Sequence, residues 1–197
     1  FTASSTYQRV GVPDFTVGAG GTVEEIAGFV RGAGPTAQLG VDALPGGLVL
    51  AFSSSLSADG TDLVLRYDFT NASLDQIASG VTFISFLDAE IDEPVNTFFD
   101  EYGETEGGPA PGQGFEIDEP GFTFGDIYTN ALAGALDGTN AVPFAAPEDV
   151  SMALSFLLGP LAPGQIARFE LMISEDGDAL GGLRLRQRDI DPASTTA

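Results

Sequence analysis

Residues 62–70 read DLVLRYDFT. Leu63, Leu65, Tyr67 and Phe69 take every second position, with Val64, Arg66, Asp68 and Thr70 between them. Successive side chains of a strand point to opposite faces, so this period of two predicts a half-buried β-strand. The same signal spreads outward in both directions. Residues 81–87 (VTFISFL) are apolar on both faces, as expected for a central strand covered on two sides. Residues 150–158 (VSMALSFLL) would send Val150, Met152, Leu154, Phe156 and Leu158 to the core, and residues 166–174 (IARFELMIS) Ala167, Phe169, Leu171 and Ile173. A last strand is predicted over 183–190, and earlier ones near 2–10, 15–17, 22–30 and 47–53.

Turn chemistry punctuates these runs at SADGTD (57–62), NASLD (71–75), APGQ (162–165) and EDGD (175–178). The Gly/Pro-rich stretch 103–114 reads as a loop. One segment reads as helix: Asp126 as cap, then IYTNALAGAL to a stop at Asp137-Gly138, weakened by Gly134. Many short strands with turns between them predict an all-β protein, a β-sandwich of immunoglobulin-like or jelly-roll type, with at most one short helix near 126–136. Residues 1–20 read as an N-terminal extension or exchanged strand, 21–190 as one sandwich domain and 191–197 as a linker. The chain starts at Phe1 without a methionine, as a processed protein or an internal piece would. No run approaches eighteen apolar residues, so no membrane span is predicted.

Composition removes many chemistries. The 197 residues carry 29 acidic against 7 basic side chains, a net charge of −22. All seven basic residues are arginine, and Lys, His, Cys and Trp are absent. That excludes disulfides, thiolate nucleophiles, imidazole ligands, a Ser-His-Asp triad and a lysine Schiff base. A body of this charge repels a phosphate backbone, so no nucleic-acid partner is expected. Carboxylate chemistry, cation binding or a structural role survive.

The charge is segregated. Between Arg66 and Arg168 there is no basic residue but seventeen Asp and Glu, twelve of them from Asp88 to Asp126. Asp88, Glu90 and Asp92 alternate, so a strand would put three carboxylates on one face. Neighbours about 7 Å apart repel by about 0.6 kcal/mol in water and about 2.4 at an effective dielectric of 20. Exposed, the stripe is cheap; partly buried, it needs a cation or an arginine. Calcium suits such oxygen ligands, drawn from Asp88, Glu90, Asp92, Asp118 and Glu119, with Glu93, Asp100 and Glu101 in the wider pool. No EF-hand loop is present.

Arg184, Arg186 and Arg188 mirror that stripe and predict three guanidinia on one strand face. They read either as a charge-blunted edge or as a seam with the acidic zone, within one subunit or across two. The pairs Glu116–Asp118 and Asp88–Glu93 could be drawn as glycosidase acids, but the chain lacks the Trp platforms of sugar-binding clefts, and acid pairs arise by chance in so acidic a chain. The reading is non-enzymatic.

Four phrases carry a resemblance: LRYDFTNAS (65–73), FLDAEIDEPVNTFFDEYG (86–103), FEIDEPGFTFGDIYTNALAGALDGTNAVP (115–143) and PEDVSMALSFLLGPLAPGQIARFELMIS (147–174). They resemble exported bacterial proteins of the PEP-CTERM type. The chain departs from that pattern in lacking the terminal Pro-Glu-Pro motif, hydrophobic helix and basic tail. The resemblance implies secretion, an extracellular or cell-surface location and a structural role in surface or matrix. It carries no catalytic residues to transfer. The expectation is a secreted structural protein that self-associates as an oligomer or filament. N-terminal residues including Tyr7 and Val10 could add as a strand to a neighbour, or the arginine face could dock on a neighbour's acids. The alternative is a calcium-dependent carbohydrate-binding or adhesion module, with exopolysaccharide as a partner.

Overall fold

The computed structural model describes residues 5–11, 16–17, 21–33, 47–58, 61–91, 97–121, 123–174, 177 and 181–190. The chain is an all-β sandwich. Its strands are β1 (Ser5–Gly11), β2 (Thr16–Val17), β3 (Gly21–Ala33), β4 (Leu48–Leu56), β5 (Asp62–Asn71), β6 (Val81–Glu90), β7 (Glu101–Glu106), β8 (Gln113–Asp118), β9 (Ser151–Leu158), β10 (Ile166–Ser174) and β11 (Arg184–Asp189). The helix α1 (Ile127–Ala133) is the only α-helix among the described residues. It is too short to cross a membrane.

One layer is a six-stranded antiparallel sheet in the order β1-β3-β6-β9-β8, with β2 also on β3. The second layer is divided into a three-stranded sheet, β10-β5-β4, and a ribbon, β11-β7. As the alternation predicts, β5 buries Leu63, Leu65, Tyr67 and Phe69. They meet Val81, Phe83 and Leu158 of the first layer in the main core. Phe83 is its hub, with ring centroids 4.6 Å from Tyr67, 5.2 Å from Phe69 and 5.7 Å from Phe169, spacings at which aromatic pairs attract beyond area burial. The Tyr67 hydroxyl is buried without a hydrogen-bond partner. Burial pushes it up to about 12, and the Ser85 hydroxyl lowers it.

β6 is covered on both faces, as its sequence predicts. Val81 and Phe83 face the three-stranded sheet, while Ile84 and Phe86 pack under Ile127 and Ala131 of α1. β9 is covered on both faces too, which the sequence pattern did not predict. Ser151 and Ala153 are buried beneath α1 as fully as Leu158 is in the main core. The ribbon covers a third cluster, Ile117, Val142 and Val150, with Leu185 packed on it.

Two expectations are corrected. The loop predicted over 103–114 is confined to 107–112: Glu101–Glu106 and Gln113–Asp118 are strands, joined by a turn with Gly107 and Gly112 at positive φ. The helix ends three residues before Asp137, at Gly134, whose left-handed φ of 76° closes the C-cap onto the carbonyls of Asn130 and Ala131. The N-terminal strand lies in the sheet, with Tyr7 opposite Arg31 and Val10 opposite Gly28 on the chain's own β3. Residues 191–197 lie outside the described residues.

Candidate functional site

Adjacent strands β6, β9 and β8 place Asp88, Ser151 and Asp118 in one cross-strand row, and Phe86, Ala153 and Glu116 in the next. Alternation sends all six to the face beneath α1. Asp88 and Asp118 are 2% and 8% exposed and Glu116 1%, so these carboxylates are core residues. A buried charge requires partners, and the chain supplies them. Ser151 donates to Asp88 Oδ1 at 2.8 Å. Asp118 accepts from the backbone N–H of Glu119 (2.8 Å) and of Asp126 (2.7 Å), one on each oxygen. Glu116 accepts from the Asn130 amide (2.9 Å) and the Asp137 N–H (3.0 Å).

The turn 119–126 folds back on Asp118 through Gly125. Its φ is +75°, and a Cβ there would strike the Glu119 carbonyl and approach the Asp118 carboxylate to 2.9 Å. The turn delivers Asp126, so that carboxylate oxygens of Glu116, Asp118 and Asp126 lie within 4.8 Å of one another. Burial raises the Glu116 pKa above the usual carboxylate range, against the Asn130 and Asp137 donors that lower it. Glu119 is raised by burial first and then by the charges of Glu148 and Asp118. The trio has the oxygen chemistry of a calcium ligand set. It also clamps the 119–126 turn, α1 and the Asp137 loop to the sheet, with both oxygens of Glu116 and of Asp118 accepting hydrogen bonds.

A second buried acid, Glu101, lies where β6, β7 and β11 meet. It is 0% exposed. Oε1 accepts from the Ile91 N–H at 2.9 Å, and Oε2 contacts the Gln187 amide, which also donates to the Ala89 carbonyl at 2.5 Å. Burial pushes its carboxyl up to about 8; the Ile91 and Gln187 donors lower it, and the neighbouring charges of Asp149 and Asp189 raise it.

Of the sequence-predicted calcium residues, Asp118 joins the trio and Asp88 lies two strands away on the same row. Glu119 flanks it and contributes its backbone N–H to Asp118. Glu90 ends β6, and Asp92 and Glu93 lie outside the described residues. The sequence pattern marked Asp126 only as a helix cap and Glu116 only as one of a catalytic pair. Asp126 holds the N-cap position but makes no side-chain cap bond; its Oδ1 accepts from Asn130 at 3.0 Å.

The arginine stripe is a seam within one chain. β11 pairs β7, with Arg184 opposite Glu106 and Arg186 opposite Glu104. Arg184 and Arg186 both contact the Glu106 carboxylate, Arg186 at 2.9 Å, and Arg188 contacts Glu104 at 3.0 Å. Arg66 and Arg168 share Asp68. Every arginine whose side chain is described is therefore paired inside its own chain. Comparison with family models, with curated proteins and with solved structures finds no match.

Proposed function

We propose that the chain is a non-catalytic structural subunit that associates with copies of itself through the outer face of β4-β5-β10. Its setting would be the bacterial surface or extracellular matrix implied by the PEP-CTERM resemblance. The observation that carries the reading is a nearly neutral face on a molecule of charge −22. Cross-strand register arranges that face in five rows: Val49–Thr70–Ile166, Ala51–Asp68–Arg168, Ser53–Arg66–Glu170, Ser55–Val64–Met172 and Asp62–Ser174. Two arginines oppose Asp68 and Glu170, and Asp62 leaves the rows at −1. Arg168 and Arg66 hold Asp68 at 2.6 and 3.2 Å, and opposite charges facing across strands contribute roughly 0.2–1 kcal/mol per pair. Small side chains line β4, while Ile166 and Val49 stand 57% and 38% exposed at one end. Two acidic bodies repel most faces of one another, and a nearly neutral face with an apolar end is where a second copy can approach.

The two docking routes read from sequence fare worse. The arginine stripe is held by Glu104 and Glu106, so intermolecular docking would first have to break those pairs. The N-terminal strand is seated on β3 and would have to leave it. Negative-stain microscopy and light scattering of Val49→Asp/Ile166→Asp test the proposal: assemblies formed by the wild type should be lost while the circular-dichroism spectrum is retained. Unchanged assembly sinks it.

A second reading, a calcium-dependent carbohydrate-binding module, is favoured by the convergence of Glu116, Asp118 and Asp126 within 4.8 Å. Calorimetry with Ca²⁺ and with exopolysaccharide decides it. Binding heat and a raised Tm abolished by Asp126→Asn support the module, and their absence rejects it.

A further inference from the structure

The edge of a sheet presents unpaired N–H and C=O groups, and charge, proline or a bulge normally keeps it from pairing with another chain. β4 is an edge of the three-stranded sheet and has none of these protections. Its nine residues, LVLAFSSSL, include no charged side chain and no proline, and its register on β5 runs unbroken from Leu48 to Leu56. β10, the other edge of that sheet, carries Arg168 and Glu170. Among the described strands of six or more residues, β9 alone also lacks charge, and it lies inside a sheet.

The ladder with β5 fixes which backbone groups of β4 are unpaired. The Ser57 N–H donates to the Asp62 carbonyl and the Ala72 N–H to the Gly47 carbonyl, one bond at each end of the pair. Residues of an antiparallel strand turn their backbone groups alternately to one side and the other. Val49, Ala51, Ser53 and Ser55 therefore bond to β5. Leu48, Leu50, Phe52, Ser54 and Leu56 turn outward, where no described strand receives them. The side chains of Leu48, Leu50 and Phe52 face the core. Phe52 nevertheless stays 37% exposed with its ring 5.0 Å from Tyr67, whereas the inward side chains of β5 are at most 4% exposed. The apolar layer is open at this edge.

We propose that β4 pairs antiparallel with β4 of a second copy about a two-fold axis at Phe52. The inference rests on the self-association proposed above and adds an edge contact to the face contact. Phe52 then meets Phe52 of the second copy, Leu50 meets Ser54 and Leu48 meets Leu56. About ten backbone hydrogen bonds form, and two three-stranded sheets become one. The paired Phe52 rings close the open apolar layer. The charge pattern selects this occupant: each body carries −22, and β4 sets no like charge against its own copy.

Proline at an outward-turned N–H leaves the β5 ladder intact, so Ser54→Pro blocks the edge alone. Ile166→Asp, on β10, alters the face contact alone, whereas Val49 belongs to both. Sedimentation velocity should find Ile166→Asp dimeric through the edge. Adding Ser54→Pro to it should weaken that dimer by about tenfold or more with the circular-dichroism spectrum retained. A monomeric Ile166→Asp, or a dimer that Ser54→Pro leaves unchanged, overturns the inference; a monomeric Ser54→Pro single variant overturns the face contact instead. If the proline variant does not fold, amide hydrogen exchange by NMR carries the test. The Leu50, Phe52 and Ser54 N–H groups should gain protection as protein concentration rises, with Ala51 and Ser53 protected throughout. Exchange at those three positions that is fast at every concentration, or slow at every concentration, overturns the edge pairing.

Discussion

Replacing Glu101 by Gln should flatten the pH dependence of stability. In the folded chain this carboxyl titrates at about 8 instead of 4.5 because burial opposes its charge. A raised acid pKa means that its contribution is fully favourable below pH 4.5 and is lost as pH rises through 8. Between those two values the unfolded chain ionises this carboxyl and the folded chain does not. Each pH unit crossed in that window costs the folded state about 1.4 kcal/mol. Between pH 5 and pH 9 this removes on the order of 4 kcal/mol of unfolding free energy. The loss should begin where β6, β7 and β11 meet, since Glu101 links Ile91 and Gln187 there, and Asp149 and Asp189 bring like charge to the site. Urea unfolding by circular dichroism at pH 5, 7 and 9 reads the effect. Glu116 and Glu119 add slope in the same direction, so the difference between wild type and Glu101→Gln isolates the residue. Wild-type stability that falls no more steeply with pH than the variant's would refute the reasoning.

Tyr67→Phe deletes a buried hydroxyl with no partner and should raise stability by about 1 kcal/mol, checked as an increased urea midpoint. Ser151→Ala removes the donor to Asp88 in a site where both residues are buried, at a cost of about 1–3 kcal/mol in the same assay. Gly125→Ala meets both a positive φ and the Glu119 carbonyl, whereas Gly138→Ala meets a positive φ in open space. The first should lower Tm well beyond the second, whose cost is about 1 kcal/mol of backbone strain.

The sandwich was legible wherever a strand buries large apolar residues with a period of two. β5 and β10 are of this kind, β6 is apolar on both faces, and its Phe83 marks the centre. β7 and β8 were hidden for an identifiable reason. The residue of β7 that packs on Ile117 is Gly103, which closes against it in a way no side chain would allow. The α1-facing residues of β8 are Glu116 and Asp118. A glycine and two acids at core positions resemble a surface loop in any reading of hydrophobic pattern.

Missing β7 also concealed the partners of the arginines. Arg184, Arg186 and Arg188 could be placed on one face from their spacing, but Glu104 and Glu106 lay in a stretch read as loop. The acidic trio was half legible: Glu116 and Asp118 follow from alternation, while Asp126 joins them only because Gly125 turns the chain back. Asp88 was expected on a face whose exposure the sequence could not decide. It is buried beside Ser151, a cross-strand neighbour 63 residues away.

Sedimentation velocity across a sodium chloride series measures the central claim most directly. If copies meet through the nearly neutral face of β4-β5-β10, salt screens the repulsion between acidic bodies and leaves the contact intact. The weight-average sedimentation coefficient should then rise with salt, and Val49→Asp/Ile166→Asp should remain monomeric throughout. Association that weakens as salt is added would contradict the account and return the contact to arginine–carboxylate pairing between chains.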